Sequence, residues 1–178
     1  MNPVRTGFLA LALAALPCAG QELQFGAHGG LNIPVGDLSD AVDGRLGVTA
    51  GGHAAWYYGH GHELRTRLDL THYAGGWQPD AGRFTKNTIT AWGLGADYLY
   101  YTHEEPRGLY LTLGLGYQWW TVDPKEGPSA SENGLSFAGG AGWRFNRTFA
   151  LEGRFTTAQF RSNEGQGSAF QVLATLRF

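Results

Sequence analysis

The chain alternates apolar residues with polar or small ones over eight segments, and each segment ends at a turn or a loop. The clearest segment carries leucine, tyrosine or tryptophan at every second position from Leu109 to Trp119. Side chains of a strand point alternately to opposite faces, so a sustained period of two predicts strands and not helices. The sequence therefore predicts eight strands, at residues 23–33, 46–58, 63–73, 88–101, 109–119, 135–145, 149–157 and 170–178.

The two faces of these strands differ in charge and in size. The apolar face carries no Asp, Glu, Lys or Arg, whereas the other face holds small residues, the histidines His28 and His53, and nearly every strand charge. Buried charges persist only when they are paired and hydrogen-bonded, so we expect an arginine–carboxylate network that also includes the two histidines. The predicted network comprises Glu63, Arg65, Arg67, Asp69, Asp97, Arg144, Glu152, Arg154 and Arg177.

Side-chain volume decides which face points inward. A soluble barrel would enclose the apolar face, but an eight-stranded interior is only just wide enough to be filled by side chains. The many aromatic residues and leucines of the apolar face would overfill it, whereas the small residues opposite leave room for long charged side chains. The expected fold is an all-β, eight-stranded antiparallel up-and-down transmembrane β-barrel, with the apolar face toward lipid.

Aromatic residues of the apolar face gather toward the strand ends. Aromatic girdles at both membrane interfaces are typical of transmembrane barrels, whereas aromatics scattered through the core of a β-sandwich are the alternative explanation. The predicted girdle comprises Trp56, Tyr58, Tyr98, Tyr100, Trp119, Trp143, Phe145 and Phe178.

The connections alternate in length, which is typical of extracellular loops and periplasmic turns. An even number of strands then places both chain termini on the periplasmic side. The long connections are 34–45, 74–87 and 121–134, the short ones are 59–62 and 146–148, and 102–108 and 161–167 are intermediate.

The first twenty residues have the pattern of a secretory signal. One positive charge precedes the apolar run Gly7–Leu16, and small residues follow it. The run is too short to span a bilayer as a helix. We expect residues 1–20 to be a signal peptide, cleaved after Ala19 or Gly20, and residues 21–178 to be the barrel. Lipidation at Cys18 is the alternative, and the preceding Pro17 fits it poorly.

Composition agrees with this architecture and excludes others. Of 178 residues 28 are glycine, 13% are aromatic and only 16% are charged. So many glycines disfavour a helical bundle, and so many aromatics disfavour disorder. The formal net charge of −2 offers no electrostatic basis for binding nucleic acid.

Residues 21–178 resemble the small eight-stranded outer-membrane barrels typified by the OmpA transmembrane domain, OmpX and the opacity proteins. The resemblance lies in the signal segment, the eight strands, the loop asymmetry and the ending Ala174–Phe178. It implies the outer membrane of a Gram-negative-type bacterium, with lipid and lipopolysaccharide around the barrel. It also implies that Phe178, at the end of an alternating strand, is part of the signal read by the barrel-assembly machinery.

The scaffold itself says little about function, because one scaffold serves many functions. The leading hypothesis is a non-enzymatic role, either structural or in surface interaction. The extracellular loops are rich in charge and are expected to be mobile and soluble without a single partner. The alternative is that they contact a surface ligand on a host, a phage or lipopolysaccharide phosphates. The arginine–carboxylate network is expected to be a static plug, and the alternative is a gate in a narrow porin-like channel for ions or small solutes.

Neither a metal site nor a cofactor site is expected. His60, His62 and His103 lie in predicted turns with Glu104 and Glu105, but no second fixed pair of ligands accompanies them, so solvated turn residues are the simpler interpretation. A lipid A-modifying enzyme is the second alternative. The segment 160–163 is similar to the His-x-Ser-Asn motif of the lipid A deacylases, but Phe160 stands where the histidine base belongs.

Overall fold

The computed structural model describes residues 23–74, 88–123, 128–160 and 165–178. The predicted signal peptide and much of the three later loops lie outside these ranges, as do Ser162 and Asn163. Within the four described ranges, no helix has the length and apolar character needed to cross a membrane.

Eight strands close into one barrel in chain order, and each is antiparallel to its neighbours, which confirms the predicted fold class. The first and last strands pair with each other from Gly26–Arg177 to Val35–Ser168. One short helix, α1 (Asp37–Ala41), follows the first strand. The strands are β1 (Leu23–Val35), β2 (Gly47–Gly59), β3 (His62–Tyr73), β4 (Thr88–Tyr101), β5 (Gly108–Asp123), β6 (Ala130–Arg144), β7 (Phe149–Phe160) and β8 (Gln166–Arg177).

The barrel has two unlike ends. At the turn end lie the start of β1, the end of β8 and the connections 60–61, 102–107 and 145–148. At the loop end lie the other connections, including α1. The Phe145–Phe149 turn is held by Asn146, whose Oδ1 accepts hydrogen bonds from the backbone N–H groups of Thr148 and Phe149.

The two strand faces predicted from the alternating sequence are the inner and outer faces of the barrel wall. On β5, Leu113 is 68% exposed on the outer face, whereas the adjacent inward residue Thr112 is buried. The described strand residues with large apolar side chains at outward positions are mostly exposed in the same way, and Asp123, at the loop end of β5, is a charged exception at an outward position. A continuous apolar outer surface with a charged interior is the arrangement of a barrel that faces lipid.

The strands β5 and β6 are longer than predicted. The ladder between them continues to Val122–Ala130, although residues 130–134 read as loop in the sequence. Tyr117 Oη donates a hydrogen bond to Asn133 Oδ1 at this level. Cross-strand pairing therefore extends the strands through residues whose local pattern favours a loop.

An apolar layer that the sequence did not predict fills the lumen at the loop end. Leu38 and Val42, on and just after α1, are each 4% exposed and belong to a buried cluster. The helix therefore turns its apolar side into the barrel mouth, and Asp37 Oδ2 accepts a hydrogen bond of 3.0 Å from the Gln166 backbone N–H. The other members are Tyr73, Ile89, Ala91, Trp120, Ala158 and Ala169, with Val122 and Phe160 packed against them.

Replacing Leu38 with Asp is expected to release α1 without unfolding the barrel. A carboxylate cannot be buried in an apolar cluster without a large desolvation penalty, and the strand ladder does not depend on the helix. Hydrogen exchange at the Val42 amide, which donates to the Leu38 carbonyl at 3.1 Å, should accelerate strongly while exchange in β5 and β6 is unchanged. Leu38→Met is the control, and equal exchange in the two variants would contradict the packing of α1.

A second, smaller apolar layer lies toward the turn end. It comprises Leu99, Tyr101, Tyr110 and Ala150, each at most 1% exposed. The Tyr101 and Tyr110 rings stand 5.1 Å apart, centroid to centroid. The charged residues around Asp97 therefore lie between two apolar clusters, whereas Glu63 and Arg144 lie beside the second cluster, paired with Leu99 and Ala150.

Candidate functional site: the charged lumen

Asp97 is the centre of the predicted charge network. Its Oδ2 atom lies 2.8 Å from Arg65 Nη2, 3.0 Å from Arg67 Nε and 3.3 Å from Arg154 Nη1. The three arginines come from β3 and β7, so one carboxylate on β4 ties opposite walls of the barrel together. A buried charge is tolerated only when it is paired, and here one carboxylate contacts three arginines.

Glu152, on β7, supplies the second carboxylate to the same cluster. Its two oxygens accept from Arg65 Nη2 at 3.0 and 2.8 Å, and Arg154 Nη1 lies 3.5 Å from Oε1. Tyr110 Oη donates to Glu152 Oε2 at 3.0 Å. The tyrosine therefore joins the charged layer to the apolar layer at the turn end.

At the side of the cluster nearer the loop end, Asp69 pairs with both an arginine and a histidine. Arg67 Nη2 lies 3.1 Å from Asp69 Oδ2, and His28 Nε2 lies 2.6 Å from Asp69 Oδ1. His53 faces the lumen 5.7 Å from His28, but neither of its ring nitrogens has a hydrogen-bond partner in the described residues. His28 therefore joins the network as expected, and His53 does not.

A separate ion pair lies toward the turn end. Arg177 makes a two-pronged contact with Glu63, through Nη1 at 2.8 Å and through Nη2. Tyr101 Oη donates to the same carboxylate at 3.2 Å, and Arg177 Nη1 also donates to Gln24 Oε1 at 3.3 Å. This pair links β8 to β3 and to the start of β1 across the seam of the barrel.

Arg144 departs from the expected pairing. It is 2% exposed, yet it forms no ion pair in the part of the chain that the structure describes. Its Nε donates to Tyr101 Oη at 3.0 Å, its Cζ lies 5.7 Å from the centroid of that ring, and its Nη2 has no hydrogen-bond partner. Arg144 therefore pairs with a tyrosine hydroxyl group where a carboxylate was expected.

The charged side chains occupy space that small residues leave free. A Cβ on Gly114 would stand 2.2 Å from Asp97 Oδ1, and a Cβ on Gly142 would stand 2.2 Å from the Tyr110 ring. Both distances are far below contact distance. Any larger residue at these two positions would displace the network or the tyrosine, which explains why the inward face combines glycines with long side chains.

Sequence reasoning missed Tyr101 and Tyr110 as members of the network. Both stand at inward positions by parity, since Tyr101 follows Asp97 by four residues and Tyr110 precedes Thr112 by two. The alternation along β4 and β5 therefore indicates that both tyrosines face the lumen. They were not assigned to the network because they stand at strand ends, where aromatic residues are expected to belong to the girdle.

The residues of the predicted girdle stand at outward positions, and all but one of them are exposed. Tyr58, Tyr98, Tyr100, Trp119, Trp143, Phe145 and Phe178 are all exposed. Trp56 is in register with the outward residues Leu23 and Leu64, but it is only 7% exposed. Parity assigns a residue to a face, but it does not report how far neighbours on that face cover the ring.

No group of three or more metal-ligating side chains occurs in residues 23–74, 88–123, 128–160 and 165–178. His62 Nδ1 is hydrogen-bonded to Tyr98 Oη and its ring packs near Tyr100, 5.3 Å between centroids. It therefore belongs with the aromatic residues of the turn end.

Residues 6–178 match the family described as outer membrane protein beta-barrel domain. No curated protein matches the sequence. Among solved structures, the chain is similar to Ail of Yersinia pestis in complex with the heparin analogue sucrose octasulfate, with 11% identity, a TM-score of 0.60, and 89% and 97% of the two chains covered.

Two further structures show the same likeness. Neisserial surface protein A is 16% identical with a TM-score of 0.56, over 89% of this chain and 99% of that one. The N-terminal barrel of OprF from Pseudomonas aeruginosa is 11% identical with a TM-score of 0.53, over 88% and 96%. At these identities the likeness concerns the fold.

Proposed function

The chain belongs to the outer membrane protein beta-barrel domain family, and we propose that it serves a structural or surface-interaction role in the outer membrane. We also propose that its lumen does not conduct ions or solutes. The protein is an outer-membrane barrel of a Gram-negative-type bacterium, with its turn end in the periplasm. The loop end, with α1, is therefore extracellular. The proposal concerns what the barrel does in that place.

The layered lumen is the observation that carries the proposal. An ion crossing the barrel would have to pass the apolar cluster around Leu38, the charged cluster around Asp97 and the tyrosine layer of Tyr101 and Tyr110. Eight-stranded barrels have interiors that side chains can fill. Three successive layers of buried side chains favour a plug over a porin-like channel, whose gate would need room for the ion pairs to exchange.

In planar bilayers the wild-type protein is expected to give no steady conductance. Arg67→Ala and Glu152→Ala are expected to remain closed, because each removes one side chain from the charged layer while both apolar layers persist. Asp123→Asn, on an exposed strand-end residue, is the matched control. Steady wild-type channels whose conductance changes in Arg67→Ala or Glu152→Ala would overturn the plug and favour the narrow channel.

The same lumen disfavours the enzymatic alternative. Phe160, which replaces the histidine of the deacylase motif, packs edge-on against Trp120 with 5.6 Å between centroids. It therefore serves as part of the apolar layer. Mass spectra of lipid A from cells with and without the protein are expected to be the same, and a lost acyl chain would contradict a non-enzymatic role.

The extracellular loops are the proposed contact surface, and the C-terminal strand is the proposed contact with the assembly machinery. The first loop presents Asp37 and Asp40 in the first turn of α1, with no basic residue in its last turn. Ail binds a heparin analogue, which is polyanionic, so an acidic first loop favours a different surface ligand for this chain. Phe178, 82% exposed at the turn end, is proposed as the assembly signal.

A further inference from the structure

A cavity of about 780 Å³ opens at the turn end of the barrel, away from the loops considered above. Its lining combines four arginines with one glutamate, and it includes amide and aromatic side chains. The arginines are Arg107, Arg144, Arg147 and Arg177, and the glutamate is Glu105. Pockets that take small organic ligands have volumes of roughly 300–1,000 Å³, so this cavity is large enough for more than a simple ion.

The cavity carries a net positive charge, because its four arginines face only Glu105 in the lining and Glu63 beside Arg177. Arg177 is neutralised by Glu63, but Arg107, Arg144 and Arg147 form no ion pair in the four described ranges. Arg107 and Arg147 are exposed on the rim and are solvated. Arg144 is buried, and no carboxylate lies within ion-pair distance of it in the described residues.

Arg144 is the element that points to a ligand. Its guanidinium is buried, its Nε is engaged by Tyr101 and its Nη2 has no partner. Arg177 Nε is also buried without a partner. A buried cation with unfilled donors is costly, and an anion in the cavity would supply the missing charge and acceptors at once.

From this arrangement we propose that the turn-end cavity binds a phosphate group. A guanidinium presents its donors in a planar fork that matches two oxygens of a phosphate, and three further arginines around one cavity suit an anion with several oxygens. Phe145 lines the cavity and is also half-exposed on the lipid-facing surface. The site therefore adjoins the periplasmic leaflet, and its phosphate would come from a phospholipid headgroup or from a soluble phosphate ester.

The first test uses the whole barrel in a phosphate-free, uncharged glycoside detergent, with glycerol 3-phosphate as the probe. NMR of the arginine Nε–H groups is expected to show a saturable shift of the Arg144 signal. Arg144→Gln should weaken binding by about tenfold or more, because it removes charge-assisted hydrogen bonds. Arg147→Gln, at the exposed rim, should weaken it less, and Arg45→Gln, at the opposite end of the barrel, should leave it unchanged.

Heat-modifiable gel migration checks that each variant folds. If Arg144→Gln does not fold, the Arg107→Gln/Arg147→Gln double variant replaces it, read by calorimetry with the same probe. Saturable binding that these substitutions weaken and Arg45→Gln does not would support the site. A shift that sodium chloride reproduces, equal binding in all variants, or the absence of saturation at millimolar probe would overturn it.

A second arm identifies the source of the phosphate. In nanodiscs of phosphatidylglycerol, without soluble phosphate, a displaced Arg144 signal that glycerol 3-phosphate no longer moves would assign the site to the lipid headgroup. A signal that still moves on titration would assign it to a soluble ester. Both results support a phosphate site, and neither depends on the proposed role of the loops.

Discussion

Asp97→Asn is expected to lower the free energy of unfolding by about 3–5 kcal/mol, the usual cost of removing one partner from a buried ion pair. The amide keeps the size of the carboxylate but loses its charge. Arg65, Arg67 and Arg154 would then share the remaining charges of Glu152 and Asp69 across the barrel. The variant would retain the fold only if the strand ladder tolerates that excess of buried positive charge.

Urea titration of the protein folded in lipid vesicles, followed by tryptophan fluorescence and by gel migration with and without boiling, measures this loss. Asp123→Asn is the matched control, since Asp123 is an exposed carboxylate at the end of β5. It should change stability by no more than about 0.5 kcal/mol. If the two variants unfold at the same urea concentration, Asp97 is not the centre of a buried network.

Leu115→Arg is expected to destabilise the folded barrel by about 2–4 kcal/mol, because it places a charge on the lipid face near the bilayer midplane. Leu115 is exposed on the outer wall of β5. Along the strand, Leu115 lies between two aromatic levels of the outer face. The Trp92–Trp119 pair lies toward the loop end, and Tyr98, which pairs with Leu113, lies toward the turn end. The arginine would have to reach past these rings to find water.

Leu109→Arg, on the same face and strand but at the turn end, is the control for depth. Leu109 pairs with Trp143 next to the periplasmic turn, so its replacement should cost only about 0–1 kcal/mol. Unfolding free energies of both variants in the same vesicles give the comparison. If the two substitutions lower the free energy of unfolding equally, the effect does not depend on depth in the membrane, which would contradict a lipid-facing outer wall.

The fold could be predicted because two physical constraints act on every strand at once. Every second residue from Leu109 to Trp119 must face lipid. The residues between them, such as Thr112, Gly114 and Gly116, must fit a narrow interior. These constraints repeat around the barrel, so strand number, order and orientation follow from parity and side-chain volume. The ionised side chains of the lumen could be assigned for the same reason, since only the inward face can hold them.

The remaining features depend on contacts between residues distant in sequence. Leu38 and Val42 read as part of a polar loop, and only the open mouth of the barrel gives them an apolar surface to cover. Tyr101 and Arg144 come together from β4 and β6, and no local pattern indicates that a phenol and not a carboxylate meets this arginine. The cavity at the turn end likewise exists only because two turns and the seam converge there.

The pairing of β1 with β8 sets the order of events when the chain folds. The other strand pairs join neighbours along the chain and can form as hairpins, whereas the Gln24–Arg177 hydrogen bond joins residues 153 positions apart. Closing so large a loop carries the greatest entropic cost, so ring closure comes late. Until then β1 and β8 are open edges that can capture another copy. The lifetime of that open ring, more than the stability of the finished barrel, would determine how much of the chain is lost to aggregation.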